Sequence, residues 1–135
     1  MISPSLISSI KRHEGYRSHA YRDSVGVLTI GYGLNLDDGF SEPLAEKILI
    51  LILKERQETL SSLFPFWKEL TPARQDVFLN MAYNLGIPRF LGFRRMLSAA
   101  KSNDIAGVCR EMRNSKWFLQ VKGRAEELIE DFRKG

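Results

Sequence analysis

Three residues close to the N-terminus have side chains and spacing suited to hydrolysis. Glu14 is followed nine residues later by Asp23 and six residues after that by Thr29. A carboxylic acid can protonate a leaving group, a carboxylate can activate water, and a hydroxyl can orient that water. The three residues therefore predict the hydrolysis of an acid-labile bond, and a glycosidic bond is the leading candidate.

The setting of Glu14 favours the protonated carboxyl. Ile7 and Ile10 precede it by seven and four residues, so all three lie on the same side of a helix. Glu14 also lies at the helix C-terminus, where the helix dipole disfavours negative charge. Both effects raise the pKa of a carboxyl group, so Glu14 is predicted to be the general acid.

The other two residues fall in a segment with the period of a β-strand. Asp23 lies next to a predicted turn at 24–26 and is expected to stay ionised in that wetter setting. Thr29 is expected to emerge from the sheet face opposite Leu28 and Ile30, with its hydroxyl free to orient water. Structural alternatives stay open: a solvated glutamate, a turn-forming aspartate and an ordinary strand threonine.

The surrounding pattern predicts an α+β domain. A helix begins at Ser3-Pro4 and ends near Gly15, and a hairpin covers 21–33 with a second turn at 37–39. Ser41 is predicted to cap a helix running to about residue 60 or 63, whose apolar middle, 48–53, predicts protein on several sides. Further helices are predicted from Thr71-Pro72 to Gly86 and around 91–101, 104–113 and 123–133, with Asn103 as a cap.

Composition limits the classes of function. The 135 residues carry a net charge of +4, which favours an acidic partner without identifying it. The longest apolar run has six residues, far below the roughly 20 of a membrane helix. The N-terminus is not predicted to be a signal peptide. Cys109, the one cysteine, cannot form an intrachain disulfide, and Arg17 occupies the second histidine position of a zinc H-E-x-x-H pattern.

Basic residues in the C-terminal half could form a charged face. This candidate face consists of Arg94, Arg95, Arg110 and Arg113. Solvation alone would explain it, but it could also hold the chain near phosphate-rich envelope polymers.

Motifs along nearly the whole chain carry a resemblance to a known family. They are Glu14-Gly15, Tyr21-x-Asp23, Gly26, Thr29-Ile30-Gly31-Tyr32-Gly33, the segment NMAYNLG at 80–86, Gly92-Phe93, Ser115-Lys116-Trp117, Arg124-Ala125 and Phe132-Arg133. In their order and spacing these motifs resemble the phage-type lysozymes, glycoside hydrolase family 24. Leu34 departs from the histidine that the family often carries there.

The resemblance implies a role for individual residues. Glu14 is implied as the general acid, Asp23 as the base or water-positioning carboxylate, and Thr29 as its helper. Arg124 matches an arginine that pairs with the catalytic glutamate. Tyr83 and Asn84 match positions that line the sugar cleft, and Asn35 is a third candidate substrate contact. No metal or cofactor is implied.

The resemblance also implies a lysozyme-like fold spanning residues 1–135 as a single domain. A small N-terminal lobe with a β-hairpin, at about 14–41, is joined by a long helix at about 42–62 to a larger helical lobe. The helical lobe covers about 63–135 together with the N-terminal helix.

The expected function is that of an endolysin muramidase. It would cleave the β-1,4 bond between N-acetylmuramic acid and N-acetylglucosamine in peptidoglycan, with inversion, as a monomer without nucleic-acid partners or stable membrane insertion. It is expected to be made in the host cytoplasm and to reach the periplasm through a separate membrane pore. The alternatives are a lytic transglycosylase, a non-catalytic peptidoglycan-binding module and a basic nucleic-acid binder.

Overall fold

The chain folds into eight α-helices and one three-stranded antiparallel sheet, as described for residues 1–135 by a computed structural model. It divides into two compact units, Met1–Ile48 and Leu49–Gly135. The first unit contains the sheet and the second contains most of the helices. The predicted α+β class is confirmed. The predicted lobe boundaries, and the assignment of the N-terminal helix to the helical lobe, stay predictions.

Helix α1, Pro4–Glu14, begins and ends as the sequence predicts. The Ser3 hydroxyl accepts a hydrogen bond of 3.2 Å from the Leu6 N–H, which caps the first turn. Gly15 follows the helix with a φ of 71°, a backbone conformation that glycine adopts without strain. The chain therefore turns away immediately after Glu14.

The sheet follows, with strands β1 (Arg17–Arg22), β2 (Leu28–Gly31) and β3 (Leu34–Asn35) in that spatial order. Strands β1 and β2 form the predicted hairpin, in which Tyr21 pairs with Thr29. Strand β3 was not predicted, because two residues are too short to display a period. The middle strand thus has hydrogen-bonded neighbours on both sides.

Helix α2, Glu42–Leu63, is the long helix that the sequence predicts. Ser41 caps it, accepting from the Leu44 N–H at 3.3 Å. The expectation of protein on several sides of its apolar middle is wrong, since Leu49, Ile50 and Leu51 are all exposed. The one fully buried side chain of this helix is Leu60, near its C-terminal end. No helix of the chain has both the length and the apolar character needed to cross a membrane.

Six helices and a 3-10 turn complete the second unit. They are the 3-10 turn Pro65–Glu69, α3 (Pro72–Leu85), α4 (Ile87–Leu91), α5 (Arg94–Lys101), α6 (Ile105–Arg113), α7 (Lys116–Gln120) and α8 (Lys122–Lys134). Thr71 caps α3 as predicted. The cap of α6 is Asp104, which accepts from the Gly107 N–H at 2.9 Å, and not Asn103. Asn103 instead adopts a φ of 55°, so it is the residue that turns the chain.

The hydrophobic core lies in the second unit. All 20 buried hydrophobic residues of the chain fall between Leu60 and Phe132. At its centre the ring of Phe78 stacks on Phe132 at 5.1 Å and meets Phe90 edge-on at 5.5 Å. In the first unit the one buried residue is Thr29, a candidate site residue.

Candidate active site

Glu14 is the last residue of α1 and is exposed to solvent. Its carboxyl lies against the turn between β2 and β3. A Cβ atom added at Gly33 would be 2.5 Å from the Glu14 Cδ atom and 3.0 Å from Cγ, so a larger residue cannot occupy that position without displacing Glu14. Gly33 also has a φ of 73°, which favours glycine independently. The glycine therefore permits the close approach of the carboxyl to the turn.

Two tyrosines that sequence reasoning did not single out lie beside this turn. The rings of Tyr16 and Tyr32 are 5.5 Å apart and both are exposed. The Lys11 ammonium, from the last turn of α1, lies 5.2 Å from the centre of the Tyr32 ring. The end of α1 and the β2–β3 turn thus present two aromatic faces and a cation next to Glu14. One feature of the sequence could have pointed to these tyrosines: each is adjacent to a glycine, Tyr16 to Gly15 and Tyr32 to Gly33.

Asp23 is half-buried in the turn between β1 and β2. Its Oδ1 atom accepts hydrogen bonds from the N–H groups of Val25 at 3.0 Å and Val27 at 2.9 Å. These bonds confirm the turn-forming alternative. They use one oxygen of the carboxylate, and the Oδ2 atom has no hydrogen-bond partner within residues 1–48. The second oxygen is therefore available to a water molecule.

Thr29, in the middle of β2, is 5% exposed. Its hydroxyl donates a hydrogen bond of 2.9 Å to the Val27 carbonyl, so the prediction of a free hydroxyl is wrong for its proton. The oxygen keeps its capacity to accept a bond from water. Asn35 pairs with Thr29 across the sheet, and its Oδ1 accepts from the Asp38 N–H at 3.1 Å. Asn35 thereby orders the next turn.

Strand β2 separates the two candidate carboxylates. Asp23 is bonded to Val27, just before the strand, whereas Glu14 lies against Gly33, just beyond its end. Val27 and Gly31 are four residues apart, about 13 Å along an antiparallel strand. The carboxylates are therefore held towards opposite ends of one strand, with Thr29 between them.

Arg124 belongs to the second unit and is held by Asn80. The Asn80 Oδ1 atom accepts from Arg124 Nε at 2.8 Å and from Nη2 at 2.6 Å. Both residues line a pocket of about 400 Å³ that also includes Tyr83 and Asp76. The guanidinium is fixed in orientation, with Nη1 outside these bonds. Its implied pairing with Glu14 stays a prediction.

Tyr83 and Asn84 are adjacent in sequence but have different surroundings. Tyr83 is 44% exposed and lines the pocket with Arg124. Asn84 does not line this pocket, and its Oδ1 accepts a 2.8 Å hydrogen bond from the indole nitrogen of buried Trp117. That bond satisfies a buried donor, which is a structural role. Contact of either residue with substrate stays a prediction.

The fold agrees with the comparison to known proteins. Residues 11–130 match the family of phage lysozymes, so the chain belongs to the phage lysozyme family. Membership of this family indicates a glycosidase of the lysozyme type, with peptidoglycan as its substrate. The resemblance found in the sequence motifs is thereby confirmed.

The relatives are distant but align along most of the chain. The chain is similar to probable T4-type lysozyme 1 of Dictyostelium discoideum, with 27% identity over 93% of this chain and 91% of that protein. Probable T4-type lysozyme 2 of the same organism is 24% identical over 97% and 95%. The pre-baseplate central spike protein Gp5 of Enterobacteria phage T4 is 26% identical over 92% of this chain, which spans only 27% of that protein.

Proposed function

We propose that the protein is an endolysin-type muramidase. It hydrolyses the β-1,4 bond between N-acetylmuramic acid and N-acetylglucosamine in peptidoglycan and so lyses the host cell. The observation that carries this proposal is the placement of two carboxylates at the two ends of β2 in a member of the phage lysozyme family. The two distant T4-type lysozymes named above support it.

In the proposed mechanism, Glu14 protonates the glycosidic oxygen while Asp23 activates a water molecule. The Oδ1 atom of Asp23 is occupied by the turn, so the Oδ2 atom takes the proton from water. The oxygen of Thr29 accepts a second hydrogen bond from the same water. Inverting glycosidases keep their carboxyls about 6.5–9.5 Å apart to admit water, against about 5–5.5 Å in retaining enzymes. Placement of the two carboxylates towards opposite ends of β2 leaves room for this water between them, so we propose the wider spacing and hence inversion.

The remaining predicted residues take supporting roles in this proposal. Arg124 is oriented by Asn80, and the resemblance assigns to it the family arginine that pairs with the catalytic glutamate. Tyr83, Asn84 and Asn35 contact the glycan strand. The enzyme acts as a monomer on the wall in the periplasm, after synthesis in the host cytoplasm and release through a separate membrane pore.

The test is mass spectrometry of the soluble fragments that the protein releases from purified sacculi. Fragments with hydrated, reducing N-acetylmuramic acid ends are expected, and the Glu14→Gln variant should release almost none. Anhydro-muramic ends would identify a lytic transglycosylase and contradict the role of Asp23. Folded protein that binds sacculi without releasing fragments would identify a binding module. The anomer formed first, followed by NMR, tests inversion separately.

A second role is favoured by the likeness to the T4 spike protein, which extends over 92% of this chain. In that case the same hydrolysis would be carried out by a component of a phage baseplate. Antibody detection in purified phage particles distinguishes the two roles. Protein present in particles supports the baseplate role, whereas protein found only in the lysate supports the endolysin.

A further inference from the structure

One pocket of the second unit lies outside all the residues discussed for catalysis. It has a volume of about 520 Å³ and lies within the segment from Leu85 to Trp117. We call it the basic pocket, because Arg89, Arg94, Arg95 and Lys116 line it. Its volume is in the range of sites that hold small molecules, about 300–1,000 Å³.

The charge of the basic pocket is strongly one-sided. Its lining contains those four cationic residues and one carboxylate, Glu111, which leaves a formal excess of three positive charges. None of the four cations makes a salt bridge or a side-chain hydrogen bond within residues 49–135. Arginine forks without a partner bind carboxylate or phosphate oxygens in pairs. The pocket is therefore complementary to an anion.

The floor of the pocket is apolar. Phe93, Met96 and Leu85 line it together with Trp117, whose ring meets Phe93 edge-on at 6.3 Å. A bare inorganic anion would gain nothing from these side chains. A ligand with a compact, partly apolar body and a charged group would use both the floor and the cationic rim.

The shape also favours a small unit over an extended surface. Trp117 is 2% exposed, so it supports the ring of Phe93 from within the core and is itself closed to a ligand. A flat bilayer could reach the exposed arginines but not the half-buried ring of Phe93, whereas a single ring that enters the concavity can reach Phe93 and the arginines together. We propose that the basic pocket binds a phosphorylated sugar, with the phosphate held by Arg94 and Arg95 and the sugar ring lying over Phe93.

The candidate basic face from the sequence divides at this pocket. Arg94 and Arg95 line it, whereas Arg110 and Arg113 are exposed outside the lining. The two pairs carry the same charge, so they provide matched variants. A general attraction of anions to a positive surface would weaken equally in both. A built site would respond only to the first pair.

The experiment is an NMR titration of the full chain with N-acetylglucosamine 6-phosphate. Saturable shifts are expected at the Trp117 indole and at amides 93–96, and none with unphosphorylated N-acetylglucosamine. The Arg94→Gln/Arg95→Gln variant should bind about tenfold more weakly, since each lost partner is a charge-assisted hydrogen bond. The Arg110→Gln/Arg113→Gln variant should bind as the wild type does. Unchanged spectra elsewhere establish that each variant is folded. Lys116→Gln, as a separate single variant, should also weaken binding of the sugar phosphate.

Four outcomes would overturn the proposal. The first is the absence of saturable shifts with the wild type, and the second is an equal loss of affinity in both double variants. The third is inorganic phosphate that binds as tightly as the sugar phosphate. The fourth is preferential binding of phosphatidylglycerol vesicles or duplex DNA through Arg94 and Arg95. The third would leave an ion site without a sugar, and the fourth would identify a membrane or nucleic acid instead. Each is independent of the muramidase assay, because sacculi are not used.

Discussion

The two units of the chain differ in what holds them together. Residues 49–135 contain all 20 buried hydrophobic residues, whereas residues 1–48 bury only Thr29. The three candidate catalytic residues all lie in the poorly buried unit. Local hydrogen bonds of Ser3, Asp23 and Asn35 order the segments that carry these residues. Stability and proposed chemistry are thus carried by different parts of the sequence.

This difference sets the size of the effects expected in each unit. A hydrogen bond contributes about 0.5–1.5 kcal/mol to stability, whereas full burial of a large apolar side chain contributes about 1.5–3 kcal/mol. Substitutions in residues 1–48 should therefore alter activity with little change in the free energy of unfolding. Substitutions in the core should do the reverse.

Glu14→Gln should have the largest effect on activity. Removing the general acid should lower turnover on sacculi by about a thousandfold, within the range known for acid catalysis. Because Glu14 is exposed, the midpoint of thermal unfolding should change little. Release of soluble fragments and a thermal scan measure the two quantities. Substantial residual turnover in the folded variant would rule out the acid role.

Phe78→Ala should have the largest effect on stability. Phe78 is fully buried between Phe90 and Phe132, so truncation leaves a cavity and should cost about 3–5 kcal/mol. Urea unfolding measures this loss. The comparison between the units breaks down if the folded variant, assayed well below its unfolding midpoint, loses as much activity as Glu14→Gln.

Asp23→Asn separates the turn from the chemistry. The amide oxygen of asparagine can still accept from the N–H groups of Val25 and Val27, so the turn should persist. The base is lost, and turnover should fall about a hundredfold. Asp23→Ala removes the turn bonds as well and should also lower the unfolding midpoint. Normal turnover by Asp23→Asn would leave Asp23 with the turn role alone.

Gly33→Ala tests the approach of the Glu14 carboxyl to the β2–β3 turn. The new methyl group would displace Glu14, and activity should fall about tenfold through misplacement of the acid. Gly39→Ala is the matched control, since Gly39 has a φ of 72° and no atom near the added methyl. Both variants should lose similar stability through backbone strain. Equal activity in the two would show that Gly33 does not position Glu14.

The smallest predicted effect is on the pH dependence of alkylation at the Cys109 thiol. Burial raises the pKa of this thiol, outweighing the opposite influence of Arg74, Arg133 and Arg113. Alkylation by iodoacetamide should therefore reach its half-maximal rate at a higher pH in the folded chain than in urea. A raised pKa contributes stability below the pKa of the unfolded thiol, which is lost as pH rises through the folded value. If the half-maximal alkylation rate is reached at the same or a lower pH in the folded chain than in urea, the pKa of Cys109 is not raised.

The sequence was sufficient for elements with chemical start and stop signals. Ser3-Pro4, Ser41 and Thr71-Pro72 each begin a helix as predicted, since capping depends on a few neighbouring residues. Strand β3 and helices α4 and α7 were missed because they are only two to five residues long. The cap of α6 was predicted at Asn103 but is Asp104, because both residue types can cap a helix and only the fold determines which one does.

The candidate site was predictable in composition but not in bonding. The residue types and their spacing pointed to Glu14, Asp23 and Thr29. That the Thr29 hydroxyl donates to the Val27 carbonyl depends on the conformation of β2, which the sequence does not specify. The bond between Asn84 and Trp117 joins residues 33 positions apart, and such long-range pairs leave no local pattern.

Asp23 both forms a turn and is the proposed base, and this affects how related sequences can be compared. Selection for a foldable turn would retain aspartate or asparagine at position 23 even in a descendant that no longer cleaves glycans, because the Oδ1 atom accepts hydrogen bonds from two backbone N–H groups. Glu14 is exposed and makes no side-chain hydrogen bond within residues 1–48. Folding thus exerts little constraint on it. Among diverging sequences, Glu14 would be the better marker of which lineages still carry out the reaction.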